Sequence, residues 1–314
     1  MSTAARIAWI GLGAIGGVCG ARLVGRQPDL VFCVRTPVET LVVDAPDARW
    51  EVRPQTLVDP SRLAPADWVV LSTKAHQVQG ARPWLDAAIG EHTRVAVIQN
   101  GVEHAERVSR WVPAERVVPV VIDCPAERIA PGHVVQRRRA RLQVPTAPDA
   151  KAFAAWFADT DLEVECVADP ERAAWEKLAW NAASGAVAAL AGRPLPEIDG
   201  ARRRRWCGAL ATETVRVAAA RGIALDPRLA EEIRERLTTL MSGGAPSTLA
   251  DRLAGRPLEV EARNGAVVRI AEREGLSAPA NQRAAELLRT CHEAPSEDWL
   301  PEVPPPAATS TQPE

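Results

Sequence analysis

Short, unbroken apolar runs ending in glycine or polar residues dominate the first half of the chain, and the second half changes to long stretches of helical period. Ile7 to Ile10 is too short and too β-branched for an independent helix and reads as a buried parallel strand. Trp68 to Ser72 and Val95 to Ile98 read the same way, each closing on polar residues. From Arg116 to Pro145 the runs VVPVVI, HVVQ and RLQV, broken by Pro125, Pro131 and Gly132, predict antiparallel hairpins that extend the sheet. Ala147 to Phe157 predicts a helix and Leu162 to Val167 a last strand, which closes a first domain at residues 1–168.

A clean helix start follows: Asp169 as N-cap, Pro170 at the first helical position and Glu171 in the first turn. The helix runs to Gly192, with Pro194 beyond; about 22 residues at 1.5 Å each give roughly 33 Å. Further helices are expected at Arg202 to Arg221, Pro227 to Met241, Ser247 to Ala254, Glu259 to Glu274 and Asn281 to His292. Gly222, Asp226 with Pro227, Gly255 and Gly275 punctuate them. No strand signal interrupts this second, all-α domain at residues 169–294, and the proline-rich tail at residues 295–314 is expected to be disordered.

The first strand opens onto Gly11, Gly13 and Gly16 and then an amphipathic stretch. In a GxGxxG turn the first glycine allows the tight turn, the second lets backbone approach a pyrophosphate, and the third lets the helix pack on the strand. The helix N-terminus, at Ala14 and Ile15, offers its free N–H groups to the anion. Such a motif is weak alone and gains weight from its place between a strand and a helix. The fold class that follows is an α/β N-terminal Rossmann domain, doubly wound with a mostly parallel sheet, followed by the all-α C-terminal domain. Where an NAD site usually carries a carboxylate at the end of the second strand, this chain has Val34 and then Arg35. A guanidinium there suits the 2′-phosphate of NADPH, and the plainer alternative is a solvated strand end. Lys74, Asn100 and Gly101 follow the next strands and are expected to face the cofactor, although Asn-Gly is also an ordinary turn.

Composition narrows the class without changing the fold. The 314 residues are 46% hydrophobic with a net charge of −2, which fits a soluble globular chain and gives no global attraction to nucleic acid or an anionic membrane. The run Arg202 to Arg205 spreads around a helix and reads as a solvated surface or interface salt bridges. Six scattered cysteines, with no CxxC pair and no histidine at metal spacing, fit a reducing cytoplasm and no metal. The chain enters its first strand too soon for a signal peptide, and no apolar run is long enough to span a membrane. With no tyrosine in the chain, the Tyr–Lys proton donor of short-chain dehydrogenases is impossible; the Cys and His ligands of zinc dehydrogenases are missing too. His104 is expected to be an exposed helix residue rather than an acid.

On the long helix Lys177 and Asn181 lie four residues apart, on one face, among Trp175, Leu178 and Trp180. An ammonium there needs an anionic ligand or a carboxylate, and Glu259 is the candidate, as a structural ion pair or as part of a site. Ser247 marks another helix start. GLGAIGG, Arg35, STKAHQV, QNGV, PGHV, WEKLAWN and PSTLADRLAGRPLEVEARNG together resemble the ketopantoate reductase (2-dehydropantoate 2-reductase) family over about residues 6–292. The resemblance implies NADPH-dependent reduction of the C2 carbonyl of a 2-oxo acid, ketopantoate to pantoate in pantothenate and coenzyme A biosynthesis. It makes Lys177 the catalytic lysine and Glu259 its partner carboxylate. Asn100 and Asn181 become substrate or nicotinamide contacts, Ser247 a contact to the substrate carboxylate, and Lys74 a residue near the cofactor.

The chain departs from that pattern at Gly185 and at Gly243 and Gly244, where asparagines are usual, and at Arg137, Arg138 and Arg139, where smaller residues are. A lost polar contact changes selectivity by orders of magnitude, so a different 2-oxo acid is the first alternative. A non-catalytic NADPH-binding redox sensor is the second; it could dispense with Lys177 and Glu259. A scaffold would bind no dinucleotide at all. The expected partner is a small molecule, and the sequence leaves oligomeric state open, a homodimer included.

Overall fold

The computed structural model describes residues 5–239, 245–291 and 301–305, and the chain divides into two compact units, Met1–Pro170 and Glu171–Glu314. The strands of the first unit are, in chain order, β1 (Ile7–Ile10), β2 (Leu30–Cys33), β3 (Leu41–Asp44), β4 (Arg49–Val52), β5 (Thr56–Leu57), β6 (Trp68–Leu71), β7 (Arg94–Val97) and β8 (Val117–Pro119). They are followed by β9 (Val121–Asp123), β10 (Ala126–Ala130), β11 (His133–Gln136), β12 (Arg141–Pro145) and β13 (Glu163–Val167). The helices are α1 (Ala14–Ala21), α2 (Arg82–Ala88), α3 (His104–Val108) and α4 (Pro148–Ala155).

Burial on both faces explains the unbroken apolar runs. All four residues of β1 and of β6 are buried, and both strands lie inside a six-stranded sheet of order β5-β2-β1-β6-β7-β8. Every pairing in that sheet is parallel. The strand order reverses at β1, with β2 on one side and β6 on the other, so the carboxyl ends of β1 and β6 form the switch point where such sheets hold ligands.

The β-rich stretch after Arg116 departs from expectation. Only β8 joins the large sheet, and it does so parallel to β7. β10 and β11 form the expected antiparallel pair, but in a separate four-stranded sheet, where β11 runs parallel to β3. β12 pairs antiparallel with β9 and parallel with β13 in a third sheet. The antiparallel hairpin of β3 and β4, whose signal is LVVD and RWEV around Ala45 to Ala48, supplies the partner that the sequence pattern alone did not reveal.

These small sheets are tied to α1 by one guanidinium. Arg22, 1% exposed, donates through Nε and Nη2 to both carboxylate oxygens of Asp161, at 2.8 and 2.7 Å. It also donates to the Val18 carbonyl and to Gln136 Oε1, each at 3.0 Å, and lies 5.0 Å from the centre of the Trp50 ring.

In the second unit the helices are α5 (Pro170–Ala191), α6 (Gly200–Ala220), α7 (Leu229–Thr239), α8 (Ser247–Leu253), α9 (Asn264–Arg273) and α10 (Pro279–Thr290), and its described residues form no strand. Gly192, φ +66°, closes α5. α6 starts two residues earlier than expected because Asp199 caps it, its Oδ1 accepting from the Arg202 N–H at 2.8 Å. Within the arginine run Arg203 is not on the surface: it is buried and donates to the carbonyls of Leu195 and Thr238. The expected helix ends at Met241 and His292 and the expected disorder of residues 295–314 fall on or across positions outside the described residues.

Asp161 gives the first unit an acid-sensitive joint. The Arg22 hydrogen bonds, aided by its charge, hold the Asp161 carboxyl below its ordinary value of 3.8. Its contribution is therefore complete above that value and is lost as pH falls through the lower folded value. Asp161→Ala leaves a buried guanidinium without its anion and is expected to cost about 3 kcal/mol at pH 7 in urea unfolding, the lower end of the usual range because Asp161 is part-exposed. The gap between variant and wild type narrows as pH falls below 4; a constant gap down to pH 2 refutes the assignment.

Candidate active site

The turn after β1 is shaped by contacts that exclude side chains. Gly11 has φ +100°, and a Cβ on Gly16 would stand 2.1 Å from the Gly11 carbonyl oxygen and 2.8 Å from Ser72 Oγ. A Cβ on Gly13 would meet nothing within 4 Å. Gly13 is the N-cap of α1 but supplies no side-chain cap, and the first turn holds no acidic residue. The N–H groups at Ala14 and Ile15 thus have no acceptor within the helix and no neighbouring negative charge in that turn. An open side at Gly13 beside a free helix N-terminus fits a pyrophosphate.

The parallel register brings three more loops to the same edge of the sheet. Arg35 lies just past β2, exposed and without an ion pair among the described residues. Ser72, just past β6, donates to the Gly11 carbonyl at 2.8 Å and accepts from Trp9 Nε1 at 2.8 Å. Lys74 is half-buried, with its backbone N–H on Gln77 Oε1 at 3.2 Å, and Asn100 is half-buried beside Gly101, φ +95°.

Sequence reasoning missed the residue that holds these loops together. Gln99 is buried, and its Nε2 donates to the Thr73 carbonyl at 2.9 Å and to Thr73 Oγ1 at 3.1 Å. It therefore fixes the loop of Lys74 against that of Asn100. His104 was expected to be exposed and is instead 4% exposed, with Nε2 placed 3.0 Å from the Gln99 carbonyl. A polar residue retained directly between an apolar strand and an Asn-Gly turn was the available signal.

In the second unit Lys177 and Asn181 sit half-buried one turn apart on α5, with Trp175 buried and Trp180 half-buried nearby in sequence. Glu259 is not the start of a helix, as its sequence context predicted. α9 begins at Asn264, and residues 260–263 form a turn closed by the Gly265 and Arg263 N–H groups on the Val260 carbonyl, at 2.9 and 3.1 Å. The Glu259 side chain is 3% exposed and lies 3.7 Å from Arg263 Nη2. Ser247, the first residue of α8, is exposed and accepts from the same Nη2 at 2.8 Å. Arg263 was not anticipated. Gly243 and Gly244 lie outside the described residues.

Among the described residues no group of three or more His, Cys, Asp or Glu side chains could hold a metal ion. Burial pushes the Cys33 and Cys207 thiols up to about 12, and Cys19 higher still, so none is an available thiolate. No helix among the described residues is long and apolar enough to cross a membrane.

Known proteins place these two units side by side in sequence in one family. Residues 7–149 match the family described as ketopantoate reductase PanE/ApbA, and residues 169–292 match its C-terminal counterpart. The chain is 42% identical to the 2-dehydropantoate 2-reductase of Caulobacter vibrioides over 90% of its length and 97% of that relative. It is 36% identical to the enzyme of the same name from Mycobacterium tuberculosis, covering 92% of this chain and 98% of the other. Among solved structures, 2-dehydropantoate 2-reductase from Geobacter metallireducens superposes with a TM-score of 0.82 at 25% identity, over 91% of this chain and 99% of that one.

The two glycines of the turn are expected to separate binding from folding. Gly13→Ala meets open space, so its thermal midpoint stays close to wild type while dinucleotide affinity, measured by fluorescence titration, falls about tenfold or more. Gly16→Ala drives a methyl into a backbone carbonyl and is expected to cost about 2 kcal/mol of stability. Undiminished affinity in Gly13→Ala would mean the dinucleotide lies elsewhere.

Proposed function

The chain belongs to the ketopantoate reductase PanE/ApbA family, and on that premise we propose that it reduces the C2 carbonyl of a 2-oxo acid, 2-dehydropantoate foremost, with NADPH. It is an oxidoreductase acting on CH–OH groups with a nicotinamide cofactor. The observation that carries the fuller reading is the placement of Lys177 and Asn181 on one face of α5, in a unit that also holds a buried carboxylate at Glu259 and an exposed hydroxyl at Ser247.

Ala14 and Ile15 would hold the pyrophosphate through their N–H groups across Gly11, Gly13 and Gly16, Arg35 the 2′-phosphate, and Lys74 and Asn100 the nicotinamide end. The nicotinamide, when bound, supplies a hydride to C2 of the substrate. The oxygen at C2 then carries a developing negative charge, which needs a cation able to release a proton. Lys177 Nζ can do both, whereas an arginine holds its proton and the chain contains no tyrosine. Asn181, on the same helix as Lys177, offers an amide N–H donor to the substrate, and Asn100, in the first unit, offers one to the nicotinamide carboxamide. Ser247 donates to the substrate carboxylate, and Glu259 accepts from a substrate hydroxyl.

NADPH oxidation against a panel of 2-oxo acids tests the reading as a whole. Tight NADPH binding with no turnover of any 2-oxo acid supports a sensor instead. For the cofactor, a charge-assisted contact is worth about 1.5 to 3 kcal/mol, so wild type is expected to prefer NADPH over NADH by roughly tenfold to a hundredfold. Arg35→Glu inverts that preference, and equal wild-type affinity for the two nucleotides refutes the role of Arg35.

For the proton, Lys177→Ala is expected to lower kcat by about a hundredfold or more with little change in NADPH affinity, and Lys177→Arg not to restore it. Single-turnover hydride transfer decides the matter. An unchanged rate in Lys177→Ala assigns the proton to another group.

A further inference from the structure

Gly185 continues, one turn on, the face of α5 that carries Lys177 and Asn181, and a guanidinium lies over it. A Cβ at 185 would stand 2.7 Å from Thr248 Oγ1 and 2.9 Å from Arg263 Nη1, so any side chain there and the Arg263 head group compete for one space. Arg263 is 4% exposed. Its Nη1 donates to Thr248 Oγ1 at 2.7 Å and its Nη2 to Ser247 Oγ at 2.8 Å, with Glu259 Oε2 3.7 Å away. Its Nε is buried and has no hydrogen-bond partner among the described residues. A buried guanidinium left partly unsatisfied costs stability, and its placement against two polar residues of the site gives that cost a use.

We propose that Arg263 is the positioning residue of the substrate subsite, orienting Ser247 and Glu259 from the space that the glycine at 185 leaves open. The proposal rests on the reading of Ser247 and Glu259 as substrate contacts. A hydroxyl has one proton to give. Because Ser247 Oγ accepts from Nη2, its own O–H is turned away from Arg263 and is free to donate to a carboxylate oxygen, and the nearby positive charge strengthens the pull on that anion. The same Nη2 stands 3.7 Å from Glu259 Oε2, close enough for its charge to fix where that carboxylate lies. One planar head group thus sets the separation between a donor for the acid end and an acceptor for a hydroxyl. It selects 2-oxo acids that carry a hydroxyl over those that do not.

The mutual exclusion of Arg263 and a side chain at 185 supplies the test. Steady-state kinetics with ketopantoate and with an unhydroxylated 2-oxo acid, and calorimetric affinity for oxamate in the presence of NADP⁺, are measured for Arg263→Leu, Arg263→Lys, Gly185→Ala and the double variant Gly185→Ala/Arg263→Leu. Arg263→Leu is expected to raise KM for ketopantoate and the Kd for oxamate by about thirtyfold, the size of one charge-assisted contact, and to change kcat much less. Discrimination between the two substrates shrinks with it, and Arg263→Lys recovers part of the loss. Gly185→Ala, ordinarily favourable inside a helix, is expected to raise both constants about tenfold by displacing the guanidinium, and to add little in the Arg263→Leu background.

Wild-type oxamate affinity in a folded Arg263→Leu, or additive effects in the double variant, overturns the proposal. If Arg263→Leu fails to fold, Gly185→Ala, which keeps the arginine and only shifts it, carries the test, and unchanged constants there overturn it equally. A wild type that turns over no 2-oxo acid overturns the reading of function, while the oxamate affinities still decide the role of Arg263.

Discussion

The carbonyl of Gly11 lies so close to the first turn of α1 that residue 16 has no room for a methyl group, and the first unit is built outward from that contact. The approach is held from both sides: Ser72, at the end of the neighbouring strand, donates to the Gly11 carbonyl and itself accepts from the Trp9 indole inside β1. Fixing the strand end and the helix start in this way leaves the α1 N–H groups facing the open side at Gly13. The other end of the same helix is equally constrained, because Arg22 just beyond it engages Asp161, Gln136 and the Trp50 ring. A helix pinned at both ends cannot swing, so the N–H groups of its first turn are set before any ligand arrives.

In the second unit the equivalent role falls to buried polar side chains rather than to close backbone approach. Asn264 Nδ2 donates to the Ala182 carbonyl of α5 at 3.1 Å and to Asn281 Oδ1 at 3.0 Å. Asn281 in turn donates to the Leu210 carbonyl and to Glu213, whose carboxylate also accepts the Ala280 and Asn281 N–H groups at the start of α10. A buried carboxylate at a helix N-terminus, with three donors, offsets much of its desolvation. Arg252 closes the circuit by donating to the carbonyls of Ala189 and Leu190 at the end of α5. Arg263 precedes Asn264 directly, as the N-cap of α9 with φ −119° and ψ −105°, so the network that locates Asn264 also locates the guanidinium over Gly185.

These two kinds of constraint differ in what they leave in the sequence. Glycine at a close approach is required by sterics, and its spacing from the next glycine is local, which made Gly11, Gly13 and Gly16 legible together. Arg22 and Arg263 are ordinary polar residues whose partners lie 139 and 16 positions away, and nothing near them in the chain distinguishes them from solvated side chains; Gln99, whose partner lies 26 positions away, is marked only by its place between an apolar strand and an Asn-Gly turn. His104 shows that a near partner can be hidden as well: the Gln99 carbonyl, five residues away, draws the ring inside, and a backbone carbonyl leaves no mark in the sequence.

The sequence by itself determined the parallel α/β unit, the glycine turn, the arginine in place of the usual carboxylate, the long helix from its capping residues to Gly192, and the helical character of the remainder. Each of these is written in a repeating period, a fixed motif spacing or a cap, which backbone geometry alone turns into structure. Only the tertiary structure decided that β11 pairs with β3 rather than extending the large sheet, that Glu259 lies in a turn before α9, and that a guanidinium fills the space at Gly185. Strand partners and buried polar contacts are chosen by which surfaces meet when the whole chain closes, and a β-branched run or an arginine carries no local mark of the surface it will meet.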